Sequence, residues 1–343
     1  MFSGILSAIG NTPLIKLERV LGDLPFDLYG KLEAFNPGGS MKDRAALNII
    51  SRAMAEGRID KNTVIIESSS GNMGIGLAQV CAYFGLQFIC VVDPKTTSQN
   101  IHILRAYGTE VDVVREPDPV TKEYLHARIE RVKELTRQLP NSYWPNQYSN
   151  VFNAGAHERT MSEIVSELGG SVDYLFCATS TCGTLRGCAE YIRAHGLPTK
   201  LIGVDAVGSI IFGGPPFKRL IPGHGAARLP ELYRPDLASR SIHVTDLDCV
   251  VGCRLLLRKE AIMAGGSSGA VLMALALTKD DIPPGSTVAM ILPDRGERYL
   301  DTLYSDEWVA EHFGDVAHMW EEFDTSFPEI IFAEQPAELS AVR

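Results

Sequence analysis

The feature that most constrains the fold is a pattern that occurs twice: a short apolar run, a loop of small residues, and then a helix. The apolar runs cover residues 64–67 and 174–178, and the loops after them cover residues 68–72 and 180–184. Apolar runs of this length that alternate with helices are typical of parallel sheets. The sequence therefore predicts an α/β fold with binding sites where these strands end, because open parallel sheets bind ligands at that edge.

Composition limits the partners that such a chain can have. Of its 343 residues, 45% are hydrophobic and 22% are charged, so the chain can bury a large core. The formal net charge of −10 argues against nucleic acid or an anionic membrane as the main partner. No apolar stretch approaches the ~20 residues that span a bilayer, and no signal-peptide pattern opens the sequence. We therefore expect small-molecule ligands.

The seven cysteines indicate a cellular compartment. Their number is odd, most lie within apolar runs, and none forms a CxxC motif or a Cys/His pair with zinc spacing. Buried free thiols persist in a reducing environment, so we expect a cytoplasmic protein without a metal site.

The first motif with chemical meaning is a glycine-rich turn, residues 36–41, that leads into a helix at Lys42. A lysine that is partly desolvated at a helix start has a lowered amine pKa, which suits Schiff-base chemistry. The alternative is a solvated surface lysine after an ordinary turn. The motif alone leaves both interpretations open.

The second motif is the serine-rich loop before the next helix. Ser69 and Ser70, together with backbone N–H groups at a helix N-terminus, can form a carboxylate site, and the Asn72 amide can donate to a phenolate oxygen. The alternative is a capped helix with glycines for close packing. A dinucleotide site is disfavoured because the glycines are spaced GxxGxG from residue 71, which differs from GxGxxG.

Two further loops of small residues cover 180–184 and 265–269. The first combines hydroxyls and exposed N–H groups into a cup of the kind that holds a phosphate group. The second precedes a helix predicted at residues 270–277. The alternative for each loop is an ordinary turn between packed elements.

These four segments occur in one order with two more motifs, GNTPLIKL at residues 10–17 and LPDRGERYL at residues 292–300. Over residues 5–308 the chain resembles the fold-type II pyridoxal-phosphate enzymes, among them cysteine synthase, cystathionine β-synthase and the tryptophan synthase β-subunit. The resemblance implies two three-layer α/β domains and a homodimer. The implied parts are a small domain at 42–150, a large cofactor-binding domain at 1–41 and 151–314, and a C-terminal tail at 315–343.

The resemblance also implies a role for each motif residue. Lys42 would carry the pyridoxal phosphate covalently, Asn72 would bond its 3′-oxygen, and Ser267 would face its ring nitrogen. A neutral hydroxyl at that nitrogen favours replacement at Cβ over transamination. The loop that would hold the cofactor phosphate consists of Ser180, Thr181, Cys182, Gly183 and Thr184. The residues around the substrate α-carboxylate would be Ser69, Ser70, Asn72 and Gln147.

Details within the family point away from ordinary cysteine synthase. The phosphate loop reads STCGT where that enzyme usually has GTGGT, and Tyr148 adds a phenol after Gln147. Residues 204–213 and 222–232 are similar to those of the synthases in 2,3-diaminopropionate pathways for siderophores and antibiotics. That similarity implies condensation of O-phospho-L-serine with L-glutamate and loss of phosphate. It also places Tyr148 and Ser180 at the substrate.

Both implied substrates carry several negative charges, so the pocket needs local positive charge. Arg128 and Arg228 are the candidates, although each can equally be a solvated surface arginine. Two other functions remain open: a cysteine synthase or O-phosphoserine sulfhydrylase that uses sulfide, and a catalytically inactive protein that binds pyridoxal phosphate. Acetate and phosphate leave by the same route, so the residues do not fix the leaving group.

Overall fold

The chain folds around two sheets in a computed structural model that describes residues 3–120 and 122–321. The strands, in chain order, are β1 (Leu14–Lys16), β2 (Asp27–Leu32), β3 (Val64–Ser68), β4 (Gln87–Val92), β5 (Glu110–Val113), β6 (Ser142–Tyr143), β7 (Tyr174–Ala178), β8 (Lys200–Ala206), β9 (Arg240–Val244) and β10 (Thr287–Leu292). The larger sheet has the order β1-β2-β10-β7-β8-β9, and the smaller has the order β5-β4-β3-β6.

The helices lie mainly between consecutive strands. They are α1 (Lys42–Ala55), α2 (Asn72–Phe84), α3 (Ser98–Ala106), α4 (Tyr124–Gln138), α5 (Val151–Glu167), α6 (Gly183–Ala194), α7 (Asp246–Glu260), α8 (Gly266–Thr278), α9 (Asp306–Phe313) and α10 (His318–Glu321). Within the described ranges, none of these helices has the length and apolar character to cross a membrane.

Strand pairing confirms the predicted α/β class. Every pairing in the two sheets is parallel except that of β1 with β2, which is antiparallel. The central strands β3, β4, β7 and β10 are almost entirely buried, as parallel strands with helices on both faces must be. The carboxyl ends of β3 and β7 therefore meet the starts of α2 and α6, which are the two predicted ligand sites.

Helix α1 connects the two sheets because it packs against both α2 and α5. The smaller sheet takes its strands from residues 64–143, and the larger takes its strands from residues 14–32 and 174–292. The domain boundaries at 42 and 150 stay a prediction. Of the predicted tail, α10 packs on α7 and buries Trp320 in the core of the larger sheet, and residues 322–343 lie outside the described part.

Helix α8 begins at Gly266, so the prediction of a start at residue 270 was wrong. The reason is close packing of α7 on α8. A Cβ on Gly252 would lie 2.2 Å from the carbonyl oxygen of Gly269, and a Cβ on Gly269 would lie 2.1 Å from the carbonyl oxygen of Cys249. The glycines that suggested a loop are therefore contact points between two helices, and they place Ser267 in the first turn of α8.

We expect Gly252→Ala to lower the free energy of unfolding by about 1–3 kcal/mol, because the added methyl group overlaps backbone atoms that cannot move separately. Gly155→Ala in α5 is the matched control. There the nearest atom to an added Cβ is 3.6 Å away, so alanine fits. It should raise the free energy of unfolding by at most about 1 kcal/mol, because alanine favours the helix more than glycine does. Urea unfolding of both variants measures the difference, and equal effects would contradict the close contact.

Candidate active site

Lys42 is the first residue of α1, and its side chain is half-buried at the edge where the two sheets meet. Its Nζ has no hydrogen bond or ion pair within residues 3–120 and 122–321. Burial lowers the pKa of this amine, while the neighbouring Cys177 and Asp294 act in the opposite direction. A primary amine with a lowered pKa and no partner is available as a nucleophile or a base.

The turn before Lys42 is bonded to the segment after β10. The Met41 N–H donates to the carbonyl of Pro293 at 2.9 Å, and Ser40 forms an antiparallel bridge with Asp294. Arg298 donates to the carbonyl of Gly38. The LPDRGERYL motif thus supports the backbone that presents the lysine.

Asn72, at the start of α2, faces the same segment. Its Nδ2 donates to the Asp294 Oδ2 at 2.7 Å, and its Oδ1 accepts from Arg298. Tyr299 also donates to the Asp294 Oδ2, at 2.6 Å. The structure therefore brings Asn72 and Lys42 together around one buried carboxyl group.

The 180–184 loop forms the start of α6, whose N-terminus has no side-chain cap. The Gly183 N–H donates to the Thr181 hydroxyl at 3.4 Å. The following N–H groups can bind an anion because the opening turn of a helix has no internal acceptors. Cys182 has a φ of +63°, a left-handed conformation that favours glycine. Thr184 contacts the Met41 sulfur at 3.8 Å, which places the loop beside the turn that holds Lys42.

Asn153 on α5 fixes this loop and was missed by the sequence analysis. Its Nδ2 donates to the carbonyl of Gln147 at 2.7 Å and to the Thr181 hydroxyl at 3.2 Å. A Cβ on Gly183 would lie 2.4 Å from the Asn153 Oδ1, so the glycine is required there. Asn153 therefore connects the phosphate loop to the predicted substrate residue Gln147.

Ser267 is half-buried in the first turn of α8, on the large-sheet side of the site. Two residues earlier, the Gly265 N–H donates to the carbonyl of Asp294 at 3.1 Å, and a Cβ on Gly265 would lie 2.0 Å from the Asp294 Oδ1. Ser267 therefore lies close to the segment that Asn72 and Lys42 share. Its predicted partner, the ring nitrogen, stays a prediction.

The start of α2 supports both interpretations of the serine loop. The Ser69 Oγ accepts from the Gly74 N–H at 2.9 Å, so it caps the helix, which was the structural alternative. The carbonyl of Ser70 accepts from Asn100, and its side chain has no hydrogen bond within the described ranges. The N-cap residue Gly71 provides no side chain, so N–H groups remain free at this helix start.

Gln147 lies beside a buried carboxyl group at the end of β3. The Glu67 side chain accepts from the Gln147 N–H at 3.2 Å and from the Trp144 Nε1 at 3.1 Å. Burial raises the pKa of Glu67 to about 7, against these hydrogen bonds and the charge of Arg128, which lower it. The side-chain amide of Gln147 is 3.5 Å from the carbonyl of Ser68, so Gln147 and the serine loop form one wall.

Arg128 lies in the protein interior, with only 8% of its surface exposed. Its Nε is 3.3 Å from the Asp93 Oδ2, and among the described residues its Nε and Nη1 have no hydrogen-bond acceptor. The solvated-surface alternative for this arginine was therefore wrong. A buried guanidinium with free donors suits an anionic ligand.

Tyr148 is half-buried between the two sheets, and its carbonyl accepts from the Leu232 N–H at 3.3 Å. Burial and the nearby Glu67 raise the pKa of its phenol, while the charges of Arg128, Arg219 and Arg228 lower it. The tyrosine therefore lies near three arginines, of which Arg128 and Arg228 were predicted from the sequence.

Arg228 is the predicted residue that the structure places least favourably. Its side chain is 54% exposed, and its Nη2 is 3.7 Å from Glu231. Arg219 on the same loop is half-buried and donates to the carbonyl of His224 at 2.7 Å. Of the two, Arg219 is the more enclosed cation near Tyr148. No local pattern in the sequence distinguished it.

A family model described as "Pyridoxal-phosphate dependent enzyme" matches residues 5–294. The chain belongs to this family. The match confirms the predicted cofactor class. The residues present also fit the cofactor: an amine without a partner, an uncapped helix start for its phosphate, and an Asn72 amide with one N–H still free.

Relatives and solved structures agree with this assignment. The chain is 43% identical to an N-(2-amino-2-carboxyethyl)-L-glutamate synthase of Cupriavidus metallidurans, covering 90% of this chain and 91% of the relative. It is 45% identical to a protein of the same name from Ralstonia nicotianae, covering 89% and 90%. The crystal structure of the O-acetylserine dependent cystathionine β-synthase of Helicobacter pylori matches with a TM-score of 0.81 and 33% identity, covering 88% and 98%. The predicted fold-type II architecture is confirmed.

Proposed function

We propose that this chain joins O-phospho-L-serine to L-glutamate, forming N-(2-amino-2-carboxyethyl)-L-glutamate and phosphate. The observation that carries the proposal is the pair of relatives named for this synthase, which are 43% and 45% identical over about nine-tenths of the chain. In this reaction the Cβ–O bond breaks with its electron pair leaving on phosphate, a Cβ–N bond forms from the glutamate amine, and that amine loses a proton.

Bound pyridoxal phosphate withdraws electrons from an amino acid attached to it, which acidifies the Cα proton and lets a substituent leave Cβ. Lys42 would carry the cofactor, and its free amine would accept the Cα proton and later return it. The lowered pKa of its amine favours the neutral form that can take a proton. The uncapped start of α6 would hold the cofactor phosphate, and the start of α2 would hold the substrate carboxylate.

The anionic substrates require positive charge within an acidic protein. Arg128 is buried and, in the part of the chain that the structure describes, has donors without an acceptor. Its charge, like that of Arg219, lowers the pKa of the Tyr148 phenol. A phenol beside these arginines can donate a hydrogen bond to a carboxylate or a phosphate oxygen. Arg128, Tyr148 and Arg219 therefore form the proposed site for the side chains of the two amino acids, with Ser180 at its edge.

We expect Tyr148→Phe to lower kcat/KM for condensation by about 10- to 100-fold, the value of one hydrogen bond to a charged group. Cofactor binding should not change, because Tyr148 lies on the substrate side. Tyr107→Phe, at an exposed tyrosine, is the matched control. The effect is measured from the initial rates of phosphate release at a series of glutamate concentrations. Unchanged kinetics in Tyr148→Phe would remove this residue from the site.

The function itself is tested by mixing the cofactor-loaded protein with O-phospho-L-serine and L-glutamate and analysing products by mass spectrometry. The expected result is one new product with the mass of the condensed amino acids, and phosphate in equal amount. Parallel reactions replace glutamate with sulfide, or O-phospho-L-serine with O-acetyl-L-serine. Faster consumption of sulfide than of glutamate would identify a sulfhydrylase. No turnover with any pair of substrates would identify an inactive cofactor-binding protein.

We also propose that the enzyme is a cytoplasmic homodimer that serves siderophore or antibiotic biosynthesis. All seven cysteines are free and buried, which suits a reducing compartment, and the dimer follows from the resemblance to cysteine synthase. Light scattering on the purified protein should give about twice the chain mass of 37.5 kDa. A monomer would contradict the dimer and leave the reaction untouched.

A further inference from the structure

Asp294 is an enclosed carboxyl group near Lys42, with 2% of its surface exposed. It lies two residues after the end of β10, and its backbone is held on two sides by the bridge to Ser40 and the hydrogen bond from Gly265. Its Oδ2 accepts from both Asn72 and Tyr299. Its Oδ1 is buried, and in the described part of the chain it has no hydrogen-bond partner.

The Asn72 amide can take only one orientation in this setting. Its Oδ1 accepts from the guanidinium of Arg298, and its Nδ2 donates to the Asp294 carboxylate. A flipped amide would turn its oxygen toward the carboxylate and its N–H toward the guanidinium, which loses both bonds and opposes like charges. Asp294 and Arg298 therefore leave the second N–H of Asn72 as the donor that remains for a ligand.

We propose that Asp294 is a positioning residue that holds the Asn72 amide so that its free N–H meets the 3′-oxygen of the cofactor. The proposal rests on the cofactor contact assigned to Asn72 and deepens the proposed function. Tyr299 keeps the carboxylate in place, and Arg298 holds the other end of the amide. The Gly38 carbonyl, which also binds Arg298, couples the same arrangement to the turn before Lys42.

The close packing around Asp294 supports this role. A Cβ on Gly265 would lie 2.0 Å from the Oδ1, so only glycine at the N-cap of α8 leaves room for the carboxyl group. Burial raises the pKa of the Asp294 carboxyl group. The hydrogen bonds from Tyr299 and Asn72 lower this pKa, and so do the charges of Arg298 and Lys42. The group therefore has several partners that stabilise a fixed carboxylate.

The test is a double-mutant cycle between Asp294→Asn and Asn72→Ala. The dissociation constant of pyridoxal phosphate is measured by titrating each apoprotein, and the heights of the cofactor absorption bands are recorded at saturation. We expect Asp294→Asn to weaken cofactor binding about tenfold and to change the ratio of the cofactor absorption bands. The reason is that an amide at position 294 no longer fixes the orientation of the Asn72 side chain. The double variant should match Asn72→Ala alone, because Asp294 acts through Asn72.

Asp301→Asn is the matched control, since it removes the same charge at an exposed position seven residues away and should bind the cofactor like the unaltered protein. Tyr299→Phe is a milder variant that keeps the carboxylate, and it should weaken cofactor binding about threefold in the same direction. If Asp294→Asn does not fold, the cycle is run with Tyr299→Phe and Asn72→Ala.

Two results would overturn the proposal. One is cofactor affinity and band ratio in Asp294→Asn equal to those of the Asp301→Asn control. The other is a double variant whose loss is the sum of the two single losses, since that shows two separate contributions. These measurements use no amino-acid substrate, so they stand or fail independently of the condensation reaction.

Discussion

Lys42→Ala should lower the rate of condensation by about 10⁴-fold or more and abolish covalent attachment of the cofactor. No second lysine can replace it, because Lys31, the other enclosed lysine nearby, is held by Glu163 and Glu167 at 3.2 and 2.6 Å. Substitution of the half-buried side chain leaves the α1 backbone intact, so the variant should fold. Phosphate release and the visible absorption band of the cofactor measure the two losses.

Lys61→Ala, at an exposed lysine, is the control for the loss of one positive charge and should keep full activity. Turnover in Lys42→Ala within about tenfold of the unaltered protein would show that another group moves the Cα proton. A normal cofactor band in that variant would show that the attachment site lies elsewhere.

Arg44→Ala should lower the free energy of unfolding by about 3–5 kcal/mol, because it leaves the buried Glu33 carboxylate without its cation. The Arg44 guanidinium bonds the Glu33 carboxylate through Nε and Nη2, both at 2.7 Å, and bonds Glu163 at 2.8 and 2.7 Å. The side chain of Glu33 is fully buried, and that of Arg44 is 3% exposed. This network joins α1, the turn directly after β2 and α5 beside the turn that presents Lys42.

Arg240→Ala is the matched control for this experiment. Its ion pair with Asp281 has the same length, 2.7 Å, but the two side chains are 53% and 63% exposed, so its loss should cost less than about 1 kcal/mol. Urea unfolding of both variants at one pH gives the comparison. A loss in Arg44→Ala as small as in Arg240→Ala would show that the buried network does not stabilise the fold.

The local parts of the fold could be predicted because each depends on neighbours in sequence. Strand β7 has the predicted bounds, 174–178, and the loops after β3 and β7 lie at helix starts, as their small residues indicated. Helix boundaries were less secure. The sequence pattern predicts a helix from about residue 157 to 168. Helix α5 instead begins at Val151, because Asn150 accepts from the Phe152 N–H and acts as its cap.

Contacts between distant residues could not be predicted from one sequence. Asp294 lies in a motif that carried only a family resemblance, and its bond to Asn72 joins residues 222 positions apart. Arg219 and Arg228 lie on one loop with similar local surroundings, and only the folded loop shows that Arg219 is the more enclosed. Tertiary packing decides such contacts, whereas composition and spacing decide helices and strands.

Borohydride reduction of the cofactor-loaded protein, followed by peptide mass spectrometry, tests the central assignment most directly. The reduced cofactor should be found on the peptide that contains Lys42 and on no other lysine. Label on a different lysine, or a protein that binds no cofactor and yields no label, would contradict it.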